Sequence, residues 1–91
     1  MSNVTTLHHR ELVARGALLL DVRTSAEYRE GHVPNALNVP VQELPQRLGE
    51  VGPTTRPVVV YCRSGGRSAM ACQLLRSAGY EVKDLGPMSA W

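Results

Sequence analysis

Several ordinary components are scarce in this 91-residue chain. Phenylalanine is absent, and the aromatics amount to three tyrosines and one tryptophan, so the core must be aliphatic. Basic residues do not cluster: nine of the ten are arginines scattered between Arg10 and Arg76, and Lys83 is the other. With no basic run and a net charge of only +2, the chain lacks both the stripe that tracks nucleic acid and the patch that holds a membrane surface. No stretch approaches the ~18 apolar residues of a membrane-crossing helix. The opening Met1-Ser2-Asn3-Val4-Thr5 has no basic segment leading into an apolar one, as a secretory leader would. Two cysteines, Cys62 and Cys72, are too few and wrongly spaced for a disulfide framework. A reducing cytoplasm is the expected compartment. There is no repeat, low-complexity stretch or linker, and 91 residues suit one domain with one core. Hydrophobic residues make up 43%, which fits a globular protein and not a disordered one.

What the chain does have centres on Cys62-Arg63-Ser64-Gly65-Gly66-Arg67-Ser68. Pro57 to Tyr61 precedes it as an unbroken β-branched and aromatic run, the pattern of a strand buried on both faces. Ser68 to Ala78 follows, with apolar residues at 71, 74, 75 and 78, the pattern of an amphipathic helix. A cysteine therefore ends a strand, and a glycine-bearing loop returns into a helix N-terminus. Unpaired N–H groups and the positive end of the helix dipole favour an anion there. A thiol so placed ionises more readily than a free one, whose pKa is about 8.5. Arg63 and Arg67 add positive charge. The bland alternative is a small buried hydrophobe; the glycines and arginines around Cys62 favour a nucleophile.

The rest of the chain alternates strands and helices. Asn3-Val4-Thr5 suits a short edge strand and Leu7 to Arg15 a helix that Gly16 ends. His8 and His9 point different ways on that helix, with no partner at i+4, and are read as a solvated face and not as metal ligands. Ala17 to Val22 is a second buried-strand run, with Asp21 near its carboxyl end, where sites gather in open α/β sheets. Thr24-Ser25-Ala26-Glu27 has the form of a capping box opening a short helix through Tyr28 to Glu30, stopped by Gly31. Arg23 and Glu27 could pair, either as a substrate clamp or as a brace for the loop, and the brace is favoured. His32 could act as a base for Cys62, but a structural role bonding backbone near its turn is favoured. His32 to Pro40 is a turn and a brief strand bracketed by prolines. Val41 to Val51 is helical, with Pro45 starting or kinking it. Tyr80 to Leu85 alternates as the last strand, and Met88 and Trp91 share a helical turn over the core. Cys72 could resolve a persulfide or form a disulfide with Cys62, but its place on the helix favours a core or flank residue. Such alternation implies a parallel sheet with helices on both faces and right-handed crossovers.

Several of these stretches, in this order, resemble the rhodanese-like domain: Leu20-Asp21-Val22-Arg23, Glu27-Tyr28, Gly31-His32-Val33-Pro34, Asn38-Val39-Pro40, Val60 to Ser68, and Leu85-Gly86 with Trp91. The likeness runs from about Leu7 to Trp91. It implies an α/β fold with a five-stranded, mainly parallel sheet, and sulfurtransferase activity through a cysteine persulfide. Donors in that family include thiosulfate, and acceptors include cyanide and thiols; no metal or organic cofactor is implied. By position, Cys62 matches the sulfur carrier and Arg63, Ser64, Gly65, Gly66, Arg67 and Ser68 match the surrounding loop. Asp21 and Arg23 match supporting positions. Asn35 replaces a common glycine, which asparagine's tolerance of the left-handed conformation accommodates, and Pro87 stands where a second glycine is frequent.

The nearest competing chemistry is that of cysteine phosphatases of related fold, with arsenate reductases behind them. The phosphatases place five residues between cysteine and arginine; here Arg67 follows Cys62 after four. The smaller ring of amides suits one charged sulfur better than a tetrahedral phosphate. The expected partners are thus a small anionic sulfur donor and a thiol or protein acceptor, with neither nucleic acid nor membrane. A binding module that presents sulfur, or only docks a partner, is the alternative from a different class.

Overall fold

A computed structural model describes residues 7–91. The strand expected at Asn3-Val4-Thr5 lies outside the described residues. Four parallel strands form one sheet in the order β2-β1-β3-β4: β1 (Leu18–Asp21), β2 (Leu37–Asn38), β3 (Val58–Cys62) and β4 (Val82–Pro87). The expected α/β class is what the structure shows; the expected fifth strand is not found among the described residues.

β3 is central and buried at every position. Because side chains alternate along a strand, Val58, Val60 and Cys62 enter one core and Val59 and Tyr61 the other. The first core is covered by α4 (Gly66–Ser77), through Ala71, Cys72 and Leu75, and by Val41, Leu44 and Val51. The second is covered by Leu12 of α1 (His9–Ala14), by Val33 and Ala36, and by partly buried Tyr28, Met88 and Trp91.

Local chemistry sets most boundaries. Thr24 caps α2 (Ser25–Glu30) through its side chain, which accepts from the Glu27 N–H at 3.2 Å, while Glu27 accepts from the Thr24 N–H at 2.9 Å. The capping box is complete. Asn35 takes φ 70, the left-handed conformation for which asparagine is suited. Val41 to Val51 divides into a 3-10 helix (Val41–Gln46) holding Pro45 and a single turn α3 (Leu48–Val51). Met88–Ala90 forms a further 3-10 turn, and Trp91 is half-buried beside it.

The solvated face expected at His8 and His9 is half right. His8 caps α1, accepting from the Arg10 N–H at 3.2 Å. His9 is buried; its Nε2 lies 3.3 Å from the Trp91 carbonyl and its ring 5.3 Å from the indole. The Trp91 ring supplies cover that the local sequence pattern around His9 could not reveal.

β4 contains one irregularity. Val60 pairs with Asp84 but Tyr61 pairs with Gly86, so Leu85 is an extra residue. Gly86 takes φ 82 and donates its N–H to the Asp84 carboxylate at 2.9 Å. Such a bulge re-aims the strand beyond it. Pro87 then lies opposite Cys62, and Met88 and Ser89 follow at the same edge of the sheet.

Candidate active site

The carboxyl ends of β1, β3 and β4 bring Asp21, Cys62 and Pro87 to one edge of the sheet, the edge at which open parallel sheets place ligands. Beyond Cys62 the chain reverses within three residues and enters α4. Gly65 makes this possible with φ 107, a conformation that L side chains rarely adopt. Its N–H is thereby directed at Cys62 Sγ, at 3.0 Å. Ser68 braces the turn by donating its hydroxyl to the Gly65 carbonyl at 3.0 Å.

Two effects compete at the Cys62 sulfur. Burial raises its pKa, but hydrogen bonds from Ser68, Gly65 and Ser64 outweigh burial and hold it below the ordinary thiol value. The Ser68 hydroxyl has one proton and directs it to Gly65, so the converging amides carry the stabilisation. Cys72 is the opposite case: burial pushes its thiol up to about 12. It lies in the core as expected, free and buried.

Asp21 and Arg23 form a buried fork-to-fork pair. Arg23 Nη2 and Nε donate to the Asp21 carboxylate at 2.7–3.1 Å, and the Arg23 N–H adds a bond at 2.9 Å. A further Nη2 bond at 2.7 Å reaches the Gly31 carbonyl, tying β1 to the end of α2. The Arg23–Glu27 pair that the sequence allowed, as clamp or as brace, does not form: Asp21 is nearer along the extended chain and already buried. Glu27 instead accepts two bonds from Arg67, from Nη1 at 2.7 Å and Nη2 at 3.0 Å. Arg67, which the sequence places as positive charge beside Cys62, is committed to this pair. His32 places Nδ1 2.8 Å from the Tyr28 carbonyl and stacks on the Tyr28 ring at 3.6 Å, which is the structural role favoured for it.

A pocket of about 380 Å³ opens beside the loop, lined by Arg23, Glu27, Glu30, Arg63, Met88 and Ser89 among others. Cys62 itself is 0% exposed and does not line it. The sulfur lies under its own loop, with Arg63 and Ser64 exposed above. Sequence reasoning missed Glu30, Met88 and Ser89. Glu30 carried a weak signal, sitting three residues after Glu27 and hence on the same face of α2; Met88 and Ser89 depend on the bulge and carried none. Among the described residues no group of three or more His, Cys, Asp or Glu side chains could hold a metal ion, and no helix is long and apolar enough to cross a membrane.

A family model, the rhodanese-like domain, matches residues 5–91. The chain belongs to the rhodanese-like domain family. A sulfurtransferase of Allochromatium vinosum is 43% identical over 88 residues, covering 94% of this domain and 81% of that protein. A thiosulfate sulfurtransferase of Escherichia coli is 36% identical over 62 residues, covering 67% and 60%. An HTH-type transcriptional regulator of Mycobacterium tuberculosis is 46% identical over 70 residues; the match covers 74% of this domain but only 30% of that protein. Among solved structures, a human single-domain sulfurtransferase superposes with a TM-score of 0.76 at 33% identity, covering 90% of this domain and 84% of that chain. An Escherichia coli rhodanese with anions gives 0.78 at 31%, covering 84% and 92%. These likenesses support a sulfurtransferase role in general terms for this rhodanese-like domain.

Proposed function

We propose that this domain moves sulfane sulfur from a small anionic donor such as thiosulfate to a thiophilic acceptor, cyanide or a small or protein thiol, through a persulfide on Cys62. The observation that carries the reading is the Gly65 N–H held 3.0 Å from Cys62 Sγ, within a ring of amides that lowers the thiol pKa. The Cys62 thiolate attacks the outer sulfur of thiosulfate; the S–S bond breaks and sulfite leaves with its electron pair. The same amides then face the negative outer sulfur of the persulfide. An acceptor thiolate attacks that sulfur, and the electron pair of the broken bond returns to Cys62. This is nucleophilic catalysis with a covalent intermediate, for which ping-pong kinetics are expected. No metal or organic cofactor enters the cycle.

Arg63, exposed on the pocket wall and without an ion-pair partner among the described residues, is the cation available to a donor. Arg67 holds the loop against α2. Asp21 and Arg23 support the strand end from below. Because Cys62 is fully covered, the exposed Arg63–Ser64 segment must yield for the donor to reach sulfur. A reducing compartment, the cytoplasm, suits a chain whose two cysteines are both free.

The complete cover of Cys62 also favours a second reading, a module that docks a partner without turning over. One experiment separates them. Incubation with thiosulfate should add the mass of one sulfur to Cys62, and cyanide should then remove it as thiocyanate. Cys62→Ser should do neither while unfolding at a similar temperature. A wild-type protein that never gains sulfur would leave only the docking module.

A further inference from the structure

The pocket beside Cys62 carries four charged side chains, two of each sign. Two are already compensated: Arg23 by Asp21 and Glu27 by Arg67. Arg63 and Glu30 remain, both exposed and neither with a hydrogen-bond or ion-pair partner among the described residues. A site shaped only for a dianion would be of one sign, since a bare carboxylate on its wall repels the ligand it must attract. The volume of about 380 Å³ lies within the range of organic ligand sites, roughly 300–1,000 Å³, and exceeds what thiosulfate fills. Met88, half-buried on the same wall, offers apolar, polarisable contact to a methylene or a sulfur.

Resting on the persulfide reading, we propose that this pocket selects an acceptor thiol of the cysteine type, its carboxylate on Arg63 and its ammonium on Glu30. Arg63 follows Cys62 directly in the chain, so a carboxylate held there brings the adjoining sulfhydryl toward the loop. The acceptor enters as thiolate after losing its proton to solvent. It attacks the outer sulfur of the Cys62 persulfide, forming a new S–S bond as the old one breaks. The electron pair passes to Cys62 Sγ, and the acceptor leaves as a persulfide. Glu30 and Arg63 are specificity-determining groups in this step.

The test uses full-length protein with Cys62 loaded from thiosulfate, the loading checked by mass. Transfer to cysteine, cysteine methyl ester and N-acetylcysteine is then measured per mole of thiolate. The ester lacks the carboxylate and the acetylated compound lacks the ammonium. Glu30→Gln should lower the cysteine to N-acetylcysteine rate ratio about threefold, the scale of one exposed ion pair. Arg63→Gln should lower the cysteine to methyl ester ratio by a similar factor. Comparing each ratio with its wild-type value cancels the intrinsic reactivity of the thiols. Ratios unchanged in both variants, with loading intact, overturn this assignment alone. Arg63→Gln, which also removes the cation that faces the donor, is given longer incubation until the mass shows the same loading before transfer is measured. Failure of the wild-type protein to load overturns the persulfide reading and this assignment together, and the mass measurement tells the two failures apart.

Discussion

Glu27 and Arg67 meet in a two-bond fork, at 2.7 and 3.0 Å, although forty positions separate them in the chain. Glu27 also closes the capping box of α2, and Arg67 sits in the first turn of α4 just beyond the cysteine loop. One carboxylate thus fixes the start of both helices that flank the site. Glu27→Gln keeps a side chain able to fill the box but loses the charge. It should cost no more than about 1 kcal/mol of stability while slowing persulfide formation, because Arg67 no longer holds the loop. Thermal unfolding and single-turnover loading check this. A variant that loads at the wild-type rate would show the pair to be structural only.

The same pair predicts a dependence on acid. The bond from Arg67, followed by that from the Thr24 N–H, lowers the Glu27 carboxyl to about 2. A carboxyl lowered by folding stabilises the protein above its unfolded value of about 4.3 and loses that contribution as pH falls toward the folded value. Denaturant midpoints should therefore fall between about pH 4 and pH 2, and Glu27→Gln should flatten that decline.

Gly65→Ala tests the amide ring directly. A Cβ at Gly65 meets nothing within 4 Å, so any effect comes from φ 107 and not from crowding. Relief of the strain, about 1–2 kcal/mol, would turn the N–H away from Sγ. The pH at which Cys62 becomes half alkylated should rise toward the free-thiol value of about 8.5. In the wild type it should lie below that value, and transfer should rise with pH through the same midpoint. An unshifted alkylation profile in the variant would mean that this N–H does not stabilise the thiolate.

Removing one partner of a buried ion pair leaves the other charged in a dry place. Asp21 is 0% exposed and Arg23 5%, so Asp21→Ala should cost about 3–5 kcal/mol, read from chemical denaturation. Reversing the loss by also changing Arg23 to methionine would show that the stranded guanidinium causes the damage.

Cys72 lies in the core with its thiol held at about 12. Under native conditions alkylation should modify Cys62 and spare Cys72, and mild oxidation should not link them. Peptide mass mapping checks both.

The local sequence determined much of this protein. Val58 to Tyr61 could only be a strand buried on both faces, Thr24 to Glu27 carried its own capping chemistry, and the Cys62–Ser68 stretch announced a thiol at a loop entering a helix. These signals act over a few residues, so they survive without knowledge of the fold. Tertiary structure alone decided which charges meet. Arg23 took Asp21 because that carboxylate is buried beside it, which freed Glu27 to cross to Arg67. It likewise decided that His9 is covered by Trp91, that the Leu85 bulge carries Met88 and Ser89 to the pocket, and that Cys62 is wholly enclosed. Ion pairs and burial depend on distances between segments remote in sequence, and those distances exist only once the sheet has brought its strand ends together.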